Sequence, residues 1–245
     1  MTPTTTLAVS GRVLTQIRRD RRTLAMLLVL PCLLMTLLWW VYNASDPAVF
    51  DRIGPALLAI FPVLVMFLVT SVTTLRERSS GTLERLLAMP MGKLDFLGGY
   101  AVAFGVVAAV QAVLAVTLSV GLLGLDVAGP VWLLGLVAVA DAVLGTALGL
   151  FVSAFAQTEF QAVQFMPLFV IPQILLCGLF VPRDDLPTVL HAISSLLPLS
   201  YATDAMEALV GSSATAEVWR DIGIVVAFAV AALAFGAATL RRRTP

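Results

Sequence analysis

The chain has 245 residues, of which 60% are hydrophobic and only 12% are charged, and its mean hydropathy is +0.99. These values exclude an ordinary soluble globular domain and indicate an integral membrane protein. The 15 basic and 15 acidic residues give a formal net charge of zero, so information about orientation must come from where the charges lie along the chain.

The first segment, residues 1–22, is polar and contains a run of arginines before the first apolar stretch. Leu7, Leu14 and Ile17 interleave with Arg18 and Arg21, which predicts an amphipathic helix in the membrane interface. The arginines lead into a full-length apolar run with no small-residue cleavage site after a short core. We therefore expect a retained first span rather than a cleaved signal peptide.

Six apolar segments are long enough to cross a bilayer, since a helix needs about 20 residues to span the hydrocarbon core. They are residues 23–42, 53–75, 96–125, 131–155, 162–181 and 222–240. The two cysteines, Cys32 and Cys177, fall in different spans, so we infer neither a disulfide nor a metal site from them. The predicted fold is an all-α membrane protein with six transmembrane helices and both termini on one side.

The basic residues predict which side that is, because Lys and Arg in short loops stay cytoplasmic. Only Arg52, Arg183 and Arg220 fall on the opposite side. Twelve of the fifteen basic residues fall on the side of the termini: Arg12, Arg18, Arg19, Arg21, Arg22, Arg76, Arg78, Arg85, Lys93, Arg241, Arg242 and Arg243. Both termini are therefore expected in the cytoplasm. A collar facing lipid head groups explains the arginines, and no nucleic-acid partner is needed.

The charged segment 76–95, between the second and third spans, is expected in the cytoplasm. Residues 81–82 are a plausible helix start, and Pro90 ends the turn. The apolar face of this short helix consists of Leu83, Leu86 and Leu87. A helix this brief is marginal alone in water, so we expect it to dock into another protein.

Polar and small residues inside the spans give two further expectations. Asp141 lies near the middle of the fourth span and Gln111 near the middle of the antiparallel third span. We expect them to meet at similar depth and to hydrogen-bond, either as glue between helices or as a polar contact in the substrate path. Gly145 and Gly149 form a small-xxx-small pair that permits close helix approach.

Residues 183–211, between the fifth and sixth spans, are too short and too interrupted to cross the membrane. An apolar face recurs at Leu186, Leu190, Ile193 and Leu197. We expect one helix of about ten residues between Pro187 and Pro198, and a second over residues 202–209 that ends at Gly211 in the usual C-terminal glycine position. Both are predicted to be re-entrant or interfacial helices on the outer side.

Three motifs together resemble the type-2 permease subunit of ATP-binding-cassette exporters, closest to the drug- and antibiotic-resistance branch. The first is Glu77 with Gly81, Thr82, Leu83, Glu84, Arg85, Leu86, Leu87 and Pro90. The second is Gln161, Gln164, Pro167, Pro172 and Gly178 to Pro182. The third is Leu186, Pro187, Ile193, Leu197, Pro198 and Tyr201. With the six spans, the resemblance covers nearly the whole chain.

The resemblance implies the transmembrane half of an exporter, paired with itself or a similar subunit and driven by two separate ATPase subunits that carry ATP and Mg²⁺. The residues of the first motif would couple to the ATPase. The sequence has no phosphate-binding loop, because Gly92-Lys93 lacks the preceding glycine spacing and the following hydroxyl residue. We therefore expect no enzymatic activity, cofactor or metal site in this chain.

Two further sets of residues are assigned roles as expectations. The translocation-path candidates are Gln111, Asp141, Gln161 and Gln164, and the hinge candidates are Pro167, Pro172 and Gly178. An oily path with few charges favours a hydrophobic or amphipathic drug-like or lipid-like substrate, exported across a bacterial cytoplasmic membrane. The alternatives are a polysaccharide or lipid-linked glycan permease, a proton-coupled carrier that uses Asp141, and a membrane scaffold that transports nothing.

Overall fold

The computed structural model describes residues 3–44, 46–79 and 93–239. Within these residues the chain is helical and contains no strand. The helices are α1 (Pro3–Arg19), α2 (Arg21–Asn43), α3 (Pro47–Ser79), α4 (Lys93–Gly121), α5 (Val131–Ser153), α6 (Glu159–Leu176), α7 (Thr188–Ser194), α8 (Pro198–Gly211) and α9 (Ala216–Thr239), with a 3₁₀ turn at Arg183–Asp185.

Six of the described helices, α2 to α6 and α9, are long and apolar enough to cross a membrane. The prediction of an all-α, multi-pass membrane protein with six spans is therefore confirmed. The assignment of the termini to the cytoplasm stays a prediction.

The fifth span lies earlier in the chain than residues 162–181. The helix begins at Glu159 because the side chain of Thr158 accepts a hydrogen bond from the backbone N–H of Gln161, capping the first turn. It ends at Leu176, and Gly178 then adopts a φ of +107°, which a residue with a side chain rarely takes. Residues 177–181 consequently form a turn rather than the end of the span.

Helix α5 is the centre of the bundle and packs against α3, α4 and α9. Its contact with α3 depends on two glycines. A Cβ atom at Gly145 would lie 2.5 Å from the carbonyl oxygen of Val63, and one at Gly149 would lie 2.6 Å from that of Phe67. The prediction that these glycines permit close helix approach is confirmed, because the two backbones touch without a side chain between them.

Helices α2 and α6 are the least covered spans, with only 17% of the most apolar stretch buried in each. Their uncovered surface is apolar: it includes Val29, Leu33 and Trp40 on α2, and Leu168 and Ile171 on α6. Such surfaces fit a bilayer or a second subunit rather than water.

The segment between α6 and α9 contains two short helices, as expected, but with different bounds. Helix α7 has only 7 residues, whereas α8 starts at Pro198, whose fixed φ suits the first helical position, and runs for 14 residues. The prediction that Gly211 lies beyond the helix end was wrong. Gly211 is the last helical residue, and Ser212 ends the helix in an extended conformation with φ −154° and ψ 161°.

Candidate functional site

Most of the predicted ATPase-coupling residues lie outside the described residues. These are Gly81, Thr82, Leu83, Glu84, Arg85, Leu86, Leu87 and Pro90. The short amphipathic helix therefore stays a prediction. The structure does describe the two flanks of residues 80–92, which are the end of α3 and the start of α4.

Helix α1 contacts both flanks through polar side chains. The Nη2 atom of Arg12 donates hydrogen bonds of 2.8 Å to Oε2 of Glu77 and of 2.8 Å to the hydroxyl of Tyr100. On the other flank, Thr6 Oγ1 donates a longer hydrogen bond of 3.4 Å to Oδ1 of Asp95. Glu77 comes three residues before the segment and Asp95 three residues after it, so one helix is tied to both sides. We call this set of five residues the α1 clamp.

The α1 clamp is largely removed from water. The side chain of Glu77 is 7% exposed and that of Arg12 is 35% exposed. Glu77 was predicted to contact the ATPase, but its carboxylate faces Arg12 in the interior. Its position makes it an anchor for α1 rather than part of an exposed contact surface.

The apolar face of α1 explains why this helix docks on the bundle. Val9, Val13 and Ile17 recur at four-residue spacing and are all buried, and α1 packs mainly against α4. A Cβ atom at Gly99 would lie 2.6 Å from Cβ of Val9, so the two helices approach closely here. The sequence correctly predicted an amphipathic helix. However, Leu7, which was assigned to its apolar face, is 64% exposed.

A second ion pair ties the same end of α3 to the start of α6. The guanidinium of Arg76 donates from Nε to Oε1 of Glu159 at 3.0 Å and from Nη2 to Oε2 at 3.1 Å. The two side chains are 64% and 49% exposed, so this pair contributes little to stability, about 0 to 1 kcal/mol. Its importance is geometric, because it links α6 to the helix that enters the coupling segment.

Gln111 and Asp141 are both fully buried in the bundle. Across the described part of the chain, none of their four polar side-chain atoms has a hydrogen-bond partner. The predicted hydrogen bond between them was therefore wrong. Gly105 on α4 faces Val143 on α5, which places Asp141 level with residue 107, about one helical turn from Gln111.

The other two translocation-path candidates, Gln161 and Gln164, lie elsewhere. Both are exposed near the start of α6, and Oε1 of Gln161 accepts a hydrogen bond of 2.8 Å from the backbone N–H of Gln157. The structure thus does not bring the four candidates together. Two are interior, and two lie on the uncovered face of α6.

The hinge candidates lie along and just beyond α6. Pro167 and Pro172 are exposed within the helix, and Gly178 makes the turn that follows it. Sequence reasoning missed Gln173, whose buried side chain accepts a hydrogen bond of 3.3 Å from the backbone N–H of Leu199. A glutamine in an otherwise apolar run was the available signal. Through this bond, α6 is connected to the start of α8.

Arg183 organises the segment that follows α6. Its Nε donates to Oγ of Ser194 at 2.8 Å, its Nη1 forms an ion pair with Asp204, and the guanidinium lies 5.3 Å from the ring centroid of Tyr201. Ser194 in turn donates to the carbonyl of Leu176 at 2.9 Å. These contacts fasten the end of α6 to α7 and α8. Sequence reasoning had counted Arg183 only as a charge outside the cytoplasm.

Desolvation raises the pKa of the Asp204 carboxyl to about 6, although the Arg183 charge acts in the opposite direction. Desolvation also raises the pKa of Glu207, one turn further along α8, to about 7, and the neighbouring Asp204 contributes to this rise. Two carboxyl groups on one helix face therefore titrate near neutral pH.

Comparison with known proteins gives one family match and several relatives. Residues 4–210 match the family model of the ABC-2 type transporter. The chain is 28% identical over 169 residues to the probable multidrug ABC transporter permease YbhR of Escherichia coli strain K12, covering 69% of this chain and 46% of that protein. It is 28% identical over 171 residues to the linearmycin resistance permease protein LnrN of Bacillus subtilis strain 168, covering 69% and 44%.

A third relative, the inner membrane transport permease YhhJ of Escherichia coli strain K12, is 26% identical over 197 residues, covering 78% of this chain and 52% of YhhJ. The chain thus spans about half the length of the curated relatives it matches. The family match extends from α1 through α8, so it includes the α1 clamp, residues 80–92 and five of the six spans.

Proposed function

Because the chain belongs to the ABC-2 type transporter family, we propose that it is the membrane-spanning permease subunit of an exporter powered by a separate ATPase subunit. Two ATPase subunits would bind and hydrolyse ATP with Mg²⁺, and this chain, paired with a copy of itself or a similar subunit, would provide the pathway. The exporter would reside in a bacterial cytoplasmic membrane.

The observation that carries this proposal is the α1 clamp. A solvated loop between two spans has no need of a third helix bonded to both of its flanks by buried polar groups. A loop that receives force from another protein does need it, because displacement of a loose loop would be lost in local motion. Arg12, Glu77 and Asp95 therefore support a lever at residues 80–92.

In the proposed mechanism, closure of the two ATPase subunits pushes on residues 80–92. The α1 clamp makes the ends of α3 and α4 move together with α1. Helix α3 then transmits the shift to α5, because Gly145 and Gly149 leave no compressible side chain between the two backbones. Rigid helices would thus convert a local push into a change from an inward-open to an outward-open arrangement.

The proposed cargo is a hydrophobic or amphipathic drug-like or lipid-like molecule taken from the cytoplasm or the inner leaflet. The names of YbhR and LnrN, which refer to multidrug transport and linearmycin resistance, support this class. The uncovered face of α6 supports it as well, since it presents Gln161 and Gln164 next to apolar residues, and we assign this face to the contact with the second subunit.

The test is purification of the tagged chain from its native membrane, followed by measurement of bound ATPase activity. We expect an ATPase subunit to co-purify, and we expect hydrolysis to fall when Leu83, Glu84, Arg85 and Leu86 are replaced together by serine. A control variant with serines at Leu122 and Asp126, which are both exposed in the loop after α4, should retain the ATPase. Absence of any nucleotide-hydrolysing partner from the wild-type complex would refute the proposal.

A proton-coupled carrier is the second candidate, and one observation favours it. Asp141 is fully buried near the middle of a span, and neither of its carboxyl oxygens has a partner among the described residues. Such a group in a transporter span is a candidate proton site. This function predicts uptake or efflux in vesicles that follows an imposed proton gradient and continues without ATP. The permease proposal predicts that vesicle transport stops when ATP is removed.

A further inference from the structure

A cavity of about 460 Å³ lies between the start of α3, the turn after α6 and the end of α8. This is within the size range of small-ligand sites. Three charged side chains of both signs line it: Asp51, Arg52 and Glu207. Its apolar lining includes Leu179, Phe180 and Val210. We call it the outer cavity, after the side of the membrane on which the basic residues place it.

The charged side chains of the outer cavity stand outside the ion pairs of the described residues. Within residues 3–44, 46–79 and 93–239, four ion pairs are formed, and none involves Asp51, Arg52 or Glu207. Arg52 and Glu207 both line the cavity, but they do not form an ion pair with each other. Charged side chains of both signs that line one cavity without pairing suit a ligand that carries both charges.

Arg183 also lies beside the turn at Gly178, but its guanidinium is already engaged. Arg183 is bound to Asp204 and Ser194, so its guanidinium is not available to pair with Glu207. The Glu207 carboxylate lies over the turn at Gly178, where an added Cβ atom would be 3.7 Å from Oε1. Glu207 is exposed at the cavity and forms no ion pair among the described residues. Desolvation and the neighbouring Asp204 raise the pKa of its carboxyl to about 7, although the Arg183 charge acts in the opposite direction.

The position of the cavity suits a lipid ligand better than a soluble ion. It lies at the ends of two spans, α3 and α6, where apolar helix surface meets the head-group region. Phe180 on its wall is 66% exposed, and Val181 beside it is 43% exposed. An amphipathic ligand could place its polar group in the cavity and its apolar part along this surface.

We propose that the outer cavity binds the head group of an aminophospholipid. Its primary ammonium would donate to Glu207 and Asp51, and its phosphate would accept from Arg52. A primary ammonium fits better than a quaternary one, because two carboxylates need hydrogen-bond donors. The phosphate fits Arg52, whose planar guanidinium suits phosphate oxygens. The glycerol and the first carbons of the acyl chains would lie along Leu179 and Phe180. This site does not depend on the proposed export function.

The experiment is native mass spectrometry of the detergent-purified chain, with dioleoyl-phosphatidylethanolamine or dioleoyl-phosphatidylglycerol added at equal concentrations. We expect the ethanolamine lipid to bind about tenfold more tightly or better, because it alone supplies the ammonium. Glu207→Gln should abolish this preference, because it should weaken binding of the ethanolamine lipid. Arg52→Gln should weaken binding of both lipids, since both contain the phosphate.

Two controls keep the test specific. Glu217→Gln removes an exposed carboxylate that does not line the cavity and should leave the preference unchanged. Val210→Trp fills the cavity without changing its charge and should weaken binding of both lipids. Equal binding of the two lipids by the wild-type chain would overturn the proposal, as would loss of the preference in Glu217→Gln. Soluble phosphoethanolamine that binds as tightly as the lipid would overturn the assignment to a lipid.

Discussion

Arg12→Met breaks the contact between Arg12 and Glu77 with little change in shape. Methionine preserves an unbranched chain in place of the aliphatic part of arginine but lacks the guanidinium. Glu77 then loses a charge-assisted donor at 2.8 Å while its own side chain remains 7% exposed. Loss of one partner from a fully buried pair costs about 3 to 5 kcal/mol. Arg12 is 35% exposed, so water can replace part of the bond, and we expect a smaller cost of about 2 kcal/mol.

A cost of about 2 kcal/mol corresponds to a roughly 30-fold increase in the undocked population of α1. Hydrogen exchange followed by mass spectrometry measures this directly. Amides of α1 should exchange about 30-fold faster in Arg12→Met than in the wild type, whereas amides of α9 should not change. The exposed pair supplies the matched control, since Arg76→Met should change exchange in α1 by less than threefold.

A double variant separates loss of the pair from simple disruption. In Arg12→Met with Glu77→Met, neither charge is left buried, so the destabilisation should be smaller than the sum of the two single changes. Strictly additive effects, or unchanged exchange in α1 after Arg12→Met, would refute the reasoning that this ion pair fastens α1 to the flank of the coupling segment.

Three other changes follow from the same structure. Asp141→Asn removes a buried carboxyl without a partner among the described residues, so the detergent melting temperature should not fall. If ATP-driven export also persists, Asp141 is not a required polar contact in the substrate path. Gly149→Val should force α3 and α5 apart, which should reduce the free energy of unfolding by about 1 to 3 kcal/mol and lower the melting temperature by several degrees. Gly121→Val is the control, because a Cβ atom there would meet no atom within 4 Å, and it should leave the melting temperature unchanged. The pKa values of Asp204 and Glu207 are raised in the folded state, to about 6 and about 7. Below these values the folded state binds more protons than the unfolded state, so protonation stabilises the fold. Amide protection in α8 should therefore rise as pH falls from 7.5 to 5.5. The rise should be lost in the double variant Asp204→Asn with Glu207→Gln, and an equal rise there would contradict the assignment.

The spans were predictable because burial in a bilayer leaves a strong signal in sequence, a long run of apolar residues. The contact of Gly145 and Gly149 with α3 was predictable for a related reason, since small residues four apart mark close helix approach. The end of α6 could not be predicted from the sequence, because the run of apolar residues continues through the turn at Gly178. Backbone conformation, rather than hydropathy, ends that helix.

The polar contacts of the site were harder to predict. Glu77 was singled out, but its partner Arg12 lies 65 positions earlier in sequence, and only the docking of α1 brings them together. Gln111 and Asp141 show the opposite failure: similar depth suggested a hydrogen bond, but the register of α4 on α5 depends on many apolar contacts that outweigh one polar pair. Distances along a chain give only an approximate depth in the membrane, and an offset of one helical turn is enough to separate two side chains.

The central claim is that residues 80–92 are the place where a separate ATPase drives this permease. The most direct measurement replaces Leu86 with a photo-crosslinking amino acid and identifies the adduct in native membranes. We expect an adduct with a nucleotide-hydrolysing subunit, and its yield should change when ATP is added. Labelling of residue 86 by a membrane-impermeant reagent from outside the cell, or adducts that never contain an ATPase, would contradict it.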